Sequence, residues 1–168
     1  MPVRGLLEFR TSGSVPLRIG AYVVAKHPLI FTFYIAAPIE KVWEGFVSKE
    51  ANQKIFMGAD FEADLEPGGS MTWSGPGPDG KPMRYVTGQI VKADPPRLLE
   101  YNFGMGMGET MSHVLIELTP ESEAVKVVVT NDNWSDADPA YAQNADGWPR
   151  ILSRLKTLLE TGKTFRPH

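Results

Sequence analysis

The order of structural signals along this chain restricts its fold more than any single motif. An alternating segment at residues 31–36 runs into Pro38-Ile39-Glu40-Lys41-Val42-Trp43, six further strand-like segments follow between residues 59 and 130, and Gly147-Trp148-Pro149 opens a final amphipathic stretch. Phe31, Phe33 and Ile35 alternate with Thr32 and Tyr34, the period-two pattern of a half-buried strand. Pro38 suits the first turn of a helix in which Ile39, Val42, Trp43, Phe46 and Val47 recur at three-to-four spacing, so one face of that helix must be buried. A second short helix is expected over residues 50–56, ending near Gly58. Strands are expected at 59–65, 70–74, 83–92, 98–105, 111–118 and 124–130, separated by turn chemistry such as Pro67-Gly68-Gly69, Asp94-Pro95-Pro96 and Pro120-Glu121. Connections this short join antiparallel neighbours, because a parallel pair needs a crossover of about a dozen residues. Residues 131–147 read as a long loop that is partly helical after Asp138, which is placed to cap Pro139. The closing helix puts Trp148, Ile151, Leu152, Leu155, Leu158 and Leu159 on one stripe, with Arg150, Arg154, Lys156 and Glu160 off it. Pro149 lies in its first turn or kinks it, and Gly162 is placed to cap its end. A curved sheet closed by one long helix encloses a space, so the chain reads as a container more than as a reaction centre.

At 168 residues the chain holds one domain with a sizeable core. The domain is expected over residues 29–162, with a short tail at 163–168. Residues 1–28 form an extension for which two readings compete: a loose arm, or an extra edge strand at residues 19–24. A formal charge of −3 with both signs interspersed supplies no basic field for a nucleic acid. No apolar run approaches the roughly 20 residues of a membrane span, and the N-terminus lacks the pattern of a signal peptide. A cytoplasmic setting is therefore expected, and the absence of cysteine fits it while removing disulfides, thiolate metal sites and cysteine nucleophiles. His27, His113 and His168 are scattered with no ligand-like spacing, so no metal or other cofactor is expected.

Four stretches together resemble one superfamily. They are residues 37–44, Asp60-Phe61-Glu62-Ala63-Asp64-Leu65-Glu66-Pro67-Gly68-Gly69, Asp94-Pro95-Pro96-Arg97-Leu98-Leu99-Glu100-Tyr101, and residues 147–155 beginning Gly147-Trp148-Pro149. In this order, across about residues 29–162, they look like the START-like (SRPBCC) superfamily of polyketide cyclases, lipid-transfer domains and pollen allergens, and within it like the activator of heat-shock-protein ATPase homologues. The resemblance implies an α+β helix-grip fold, in which a curved antiparallel sheet wraps around the long C-terminal helix with two short helices after the first strand. It implies a cavity between sheet and helix, and it carries no shared catalytic residue.

If the strands keep the family's facing, Leu99, Tyr101 and Phe103 point inward, as do Val114, Ile116 and Leu118, and Val125, Val127 and Val129. Phe56, Met71, Trp73, Tyr85, Tyr101, Phe103, Asn131, Trp134, Trp148 and Leu152 then become the candidate ligand-binding residues, against the simpler account that they only fill a core. Tyr85 and Tyr101 carry hydroxyls able to orient a polar group. Asn131 is expected at the cavity mouth, where relatives often carry a histidine; an amide there cannot titrate but can bind a carbonyl or hydroxyl. His113 alternates away from Val114 and should face outward. The glycine-rich run from Gly104 to Gly108 has no following helix to hold a phosphate and reads as a flexible hairpin tip, with an adaptable lid formed by Met105 and Met107 as the second reading.

The function expected from these residues is binding of a small hydrophobic or aromatic molecule. An enzyme of cyclase, dehydratase or hydrolase type using the same cavity is the alternative, although no catalytic constellation is visible. A co-chaperone-like interaction module ranks third, so a chaperone partner is not expected. A homodimer through a sheet edge or helix stays open.

Overall fold

The computed structural model describes residues 26–106 and 111–166. The strand considered for residues 19–24 lies outside them. Strand β1 (Leu29–Ile35) leads into helices α1 (Ile39–Val47) and α2 (Lys49–Ile55). Strands β2 (Asp60–Ala63), β3 (Ser70–Pro76), β4 (Pro82–Asp94), β5 (Leu98–Gly104), β6 (Ser112–Glu121) and β7 (Ala124–Asp132) follow, and helix α3 (Tyr141–Thr161) closes the domain. All pairings are antiparallel, in the order β1-β7-β6-β5-β4-β3-β2, so β2 to β7 form the expected meander and β1 returns beside β7. This is the helix-grip architecture. Two register breaks, one opposite Trp73 and Ser74 and one between Ile90 and Lys92, each leave a β4 residue unpaired, Tyr85 and Val91, and bend β4, which helps the sheet curl.

The inward residues expected on β5, β6 and β7 are all buried. Helix α3 packs on β1, α1 and α2. Its approach to α1 requires Gly45, where an added Cβ would collide with Leu155 Cδ1. Because α3 meets the sheet at its β1 side, a gap opens between the helix and β3 to β6.

Three local expectations change. The hairpin between β6 and β7 does not turn at Pro120-Glu121, since pairing continues to Glu121 opposite Ala124; the turn falls at Ser122, whose φ is +52°. Helix α3 begins at Tyr141, seven residues before Trp148, and Pro149 lies inside it. The stretch expected to be partly helical after Asp138 is thus the first part of α3, with Asp138 Oδ1 accepting from the Ala140 N–H at 3.0 Å. Arg154, read as lying off the packed stripe, is buried at 6% exposure.

Candidate functional site

The gap beneath α3 is a cavity of about 340 Å³, within the range of small-molecule sites. Its sheet wall is apolar. Met71 and Trp73 on β3, Val86 on β4, Leu99, Tyr101 and Phe103 on β5 and Ile116 on β6 all line it. An aromatic belt crosses this wall: the Trp73 ring lies 5.4 Å from Phe56 and 6.3 Å from Tyr101, and Tyr101 lies 6.1 Å from Phe103. Helix α3 forms the opposite wall with Gln143, Gly147, Arg150, Ile151 and Arg154, a row at offsets of four, seven, eight and eleven that shares one helix face. This row adjoins the face of Leu152 and Leu155, which is fully buried in the core. Nothing lies within 4 Å of a Cβ added at Gly147, so the helix leaves open space there. Exposed Met57, Asp146, Arg150, Phe165 and Arg166 form the rim.

Two buried asparagines hold the cavity tryptophans. Asn52 Nδ2 donates to the carbonyls of Phe46 (3.0 Å) and Ser48 (2.8 Å), and its Oδ1 accepts from Trp73 Nε1 at 2.9 Å. Asn131 Nδ2 donates to the His113 carbonyl at 3.0 Å, and its Oδ1 accepts from Trp148 Nε1 at 3.0 Å. Both indole N–H groups are satisfied inside the protein, so these side chains contribute to the cavity as apolar surface. Tyr101 differs. It is only 4% exposed, yet its hydroxyl has no hydrogen-bond partner among the described residues. No sealed polar side-chain atom among those residues lacks a partner, so this hydroxyl opens on the cavity. Burial pushes its pKa well above the ordinary phenol range, which keeps it a neutral donor and acceptor.

Of the residues expected at the site, the cavity brings together Phe56, Met71, Trp73, Tyr101, Phe103 and Trp148. Four others lie off its wall. Tyr85 instead covers Gly75 and donates to the Pro76 carbonyl at 2.7 Å. Asn131 is fully buried, not at a mouth, and both ends of its amide are engaged. Trp134 donates to the Asn131 carbonyl at 2.8 Å and meets Tyr141 edge-on, beside the start of α3. Leu152 belongs to the packing face of α3. Met105 lines the cavity, whereas Met107 lies outside the described residues.

Asn52 and Arg154 were not anticipated. A helical polar residue three before Ile55 is a detectable sign of a buried amide, and Arg154 falls three residues after Ile151, beside the apolar stripe. Arg154 Nη1 donates to the Ile55 carbonyl at 2.8 Å and Nε to the Phe165 carbonyl at 3.0 Å. Burial lowers its pKa, although a guanidinium stays cationic at neutral pH. His113 sits on the outer face of the sheet between Asp132 (Nδ1 to Oδ1, 2.7 Å) and Glu100 (Nε2 to Oε1, 2.8 Å). The described residues contain no group of three or more ligands able to hold a metal ion, and no described helix is long and apolar enough to cross a membrane.

A seven-stranded antiparallel sheet gripping a long helix over an aromatic cavity defines a START-like, SRPBCC-type domain. The model of the family "Activator of Hsp90 ATPase homolog 1-like protein" matches residues 36–160, and the chain belongs to that family. No curated protein matches it. Among solved structures, ChR145 from Cytophaga hutchinsonii is 27% identical with a TM-score of 0.67, over 82% of this chain and 97% of that one. CalU16 from Micromonospora echinospora is 20% identical with a TM-score of 0.66, over 82% and 76%. DynU16, a protein of the dynemicin biosynthetic locus, is 24% identical with a TM-score of 0.67, over 83% of this chain and 49% of that one. The last two likenesses concern the fold.

Proposed function

We propose that this domain binds a small hydrophobic or aromatic molecule in the cavity between the sheet and α3. The observation that carries this reading is a 340 Å³ space whose aromatic wall has its indole N–H groups bonded away and one phenol left open. Affinity would come from apolar burial, at about 25 cal/mol per Å² before the costs of association, with Tyr101 orienting one polar group. The relative from a biosynthetic locus fits a domain that handles small molecules.

An enzyme using the same space needs an acid or base beside the substrate. The described lining holds no histidine or glutamate, and its one carboxylate, Asp146, is exposed at the rim and paired with Arg150 at 2.8 Å. Binding is therefore the better-supported reading. A chaperone-directed role rests on the family's name alone.

Denaturing mass spectrometry of the protein purified gently from its native host tests the proposal, with Trp73→Ala as control. The expected result is an apolar small molecule present in the wild type and depleted in the variant. An empty wild-type protein that also fails to shift in a broad thermal-binding screen would overturn it.

A further inference from the structure

Resting on that reading, we infer that the ligand is an amphipathic carboxylic acid: its apolar body lies along the aromatic belt and its carboxylate pairs with Arg154. Arg154 is a cavity-lining cation at 6% exposure, and no carboxylate lies within ion-pair distance of it among the described residues. Arg150, by contrast, makes a tight ion pair with Asp146, and makes it at the surface. Both hydrogen bonds of the Arg154 guanidinium go to neutral carbonyls, those of Ile55 and Phe165. They account for two of five N–H groups, and Nη2 has no partner among the described residues.

Tying the end of α2 to the C-terminal segment explains those two bonds but not the charge. A neutral donor would serve two carbonyls without the desolvation that a buried cation suffers. An anion arriving in the cavity supplies the missing counter-charge. The planar guanidinium presents its free N–H groups in a fork that matches a carboxylate, which a point-charge ammonium does not.

The surroundings agree. The chain carries a net −3, yet the described residues that line the cavity include three arginines, Arg150, Arg154 and Arg166, against one aspartate, Asp146. With no lysine or glutamate among the described lining residues, their charge balance is +2, opposite in sign to the whole protein. A single buried arginine suits a monoanion. The apolar sheet wall across from it suits an aryl or alkyl body.

Titration calorimetry with 2-naphthaleneacetate and the isosteric 2-naphthaleneacetamide at neutral pH separates the two levels of the argument. Wild-type protein should bind the acid about tenfold or more tightly than the amide, the range of one charge-assisted hydrogen-bonded pair. Arg154→Met should abolish that preference, with the loss falling mainly on the acid, and a preference kept in the variant would overturn the role of Arg154. Should Arg154→Met fail to fold, the wild-type comparison and Arg154→Lys, which keeps the charge but loses the fork, still decide. Equal binding of acid and amide by the wild type would overturn the carboxylate inference and leave the apolar-cavity reading standing. Binding of neither compound would overturn both.

Discussion

Tyr101 and Asn131 show how two polar side chains in one core diverge in role through their partners. The Tyr101 hydroxyl has no partner among the described residues to lose, so Tyr101→Phe should leave the urea midpoint unchanged or slightly raised. The same variant should weaken binding of 2-acetylnaphthalene about fivefold, measured by tryptophan quenching, without altering that of 2-ethylnaphthalene, which has no acceptor. Asn131→Ala should cost about 2–3 kcal/mol in urea denaturation, because it strands the buried Trp148 N–H and removes the donor to the His113 carbonyl. Residue identity exposed only part of this. Tyr101 was legible as a candidate anchor because its strand alternates cleanly, whereas Asn131 looked like one until its two bonds to distant elements were visible. Arg154 was missed because arginine defaults to a solvated face, and its burial depends on the C-terminal segment folding back over it.

Helix α3 carries the division between fold and cavity. Its start was obscured by Pro149, which removes the N–H that would bond the Ala145 carbonyl and is usually excluded from a helix interior. The strands were easier to place, since alternation reports a one-sided sheet directly, and the errors fell at ends such as the β6–β7 turn. Gly147 offers the sharpest test at this scale. In the middle of α3 with open space beside it, Gly147→Ala should stabilise the protein by about 1 kcal/mol through helix propensity. Gly147→Leu should project into the cavity and reduce 2-naphthaleneacetamide affinity at least about tenfold, while thermal unfolding stays cooperative. Retained affinity in that variant would place the ligand elsewhere.

At the scale of the whole molecule the two faces of the sheet serve different ends. The concave face surrounds the cavity; the convex face carries the Glu100–His113–Asp132 arrangement across β5, β6 and β7. Burial lowers the His113 pKa, but hydrogen bonds and charge from Glu100 and Asp132 outweigh it and leave the pKa raised above its usual 6.5. Protonation thus favours the folded state. The stabilisation is complete below about pH 6.5 and is lost as the pH rises through the folded-state value. The urea midpoint should fall over that interval, and His113→Gln should flatten the fall; the lowered carboxyls of Asp60 and Glu160 act only in the acid range. The adjoining faces of α3 have an evolutionary corollary. Selection for a folded chain acts on Leu152 and Leu155, and selection for a guest acts on Gln143, Gly147, Ile151 and Arg154, neighbours on the same helix that bury against different things. Drift along the second row can exchange one guest for another without passing through an unfolded intermediate sequence, which gives such a domain a physical route to new specificities on an unchanged frame.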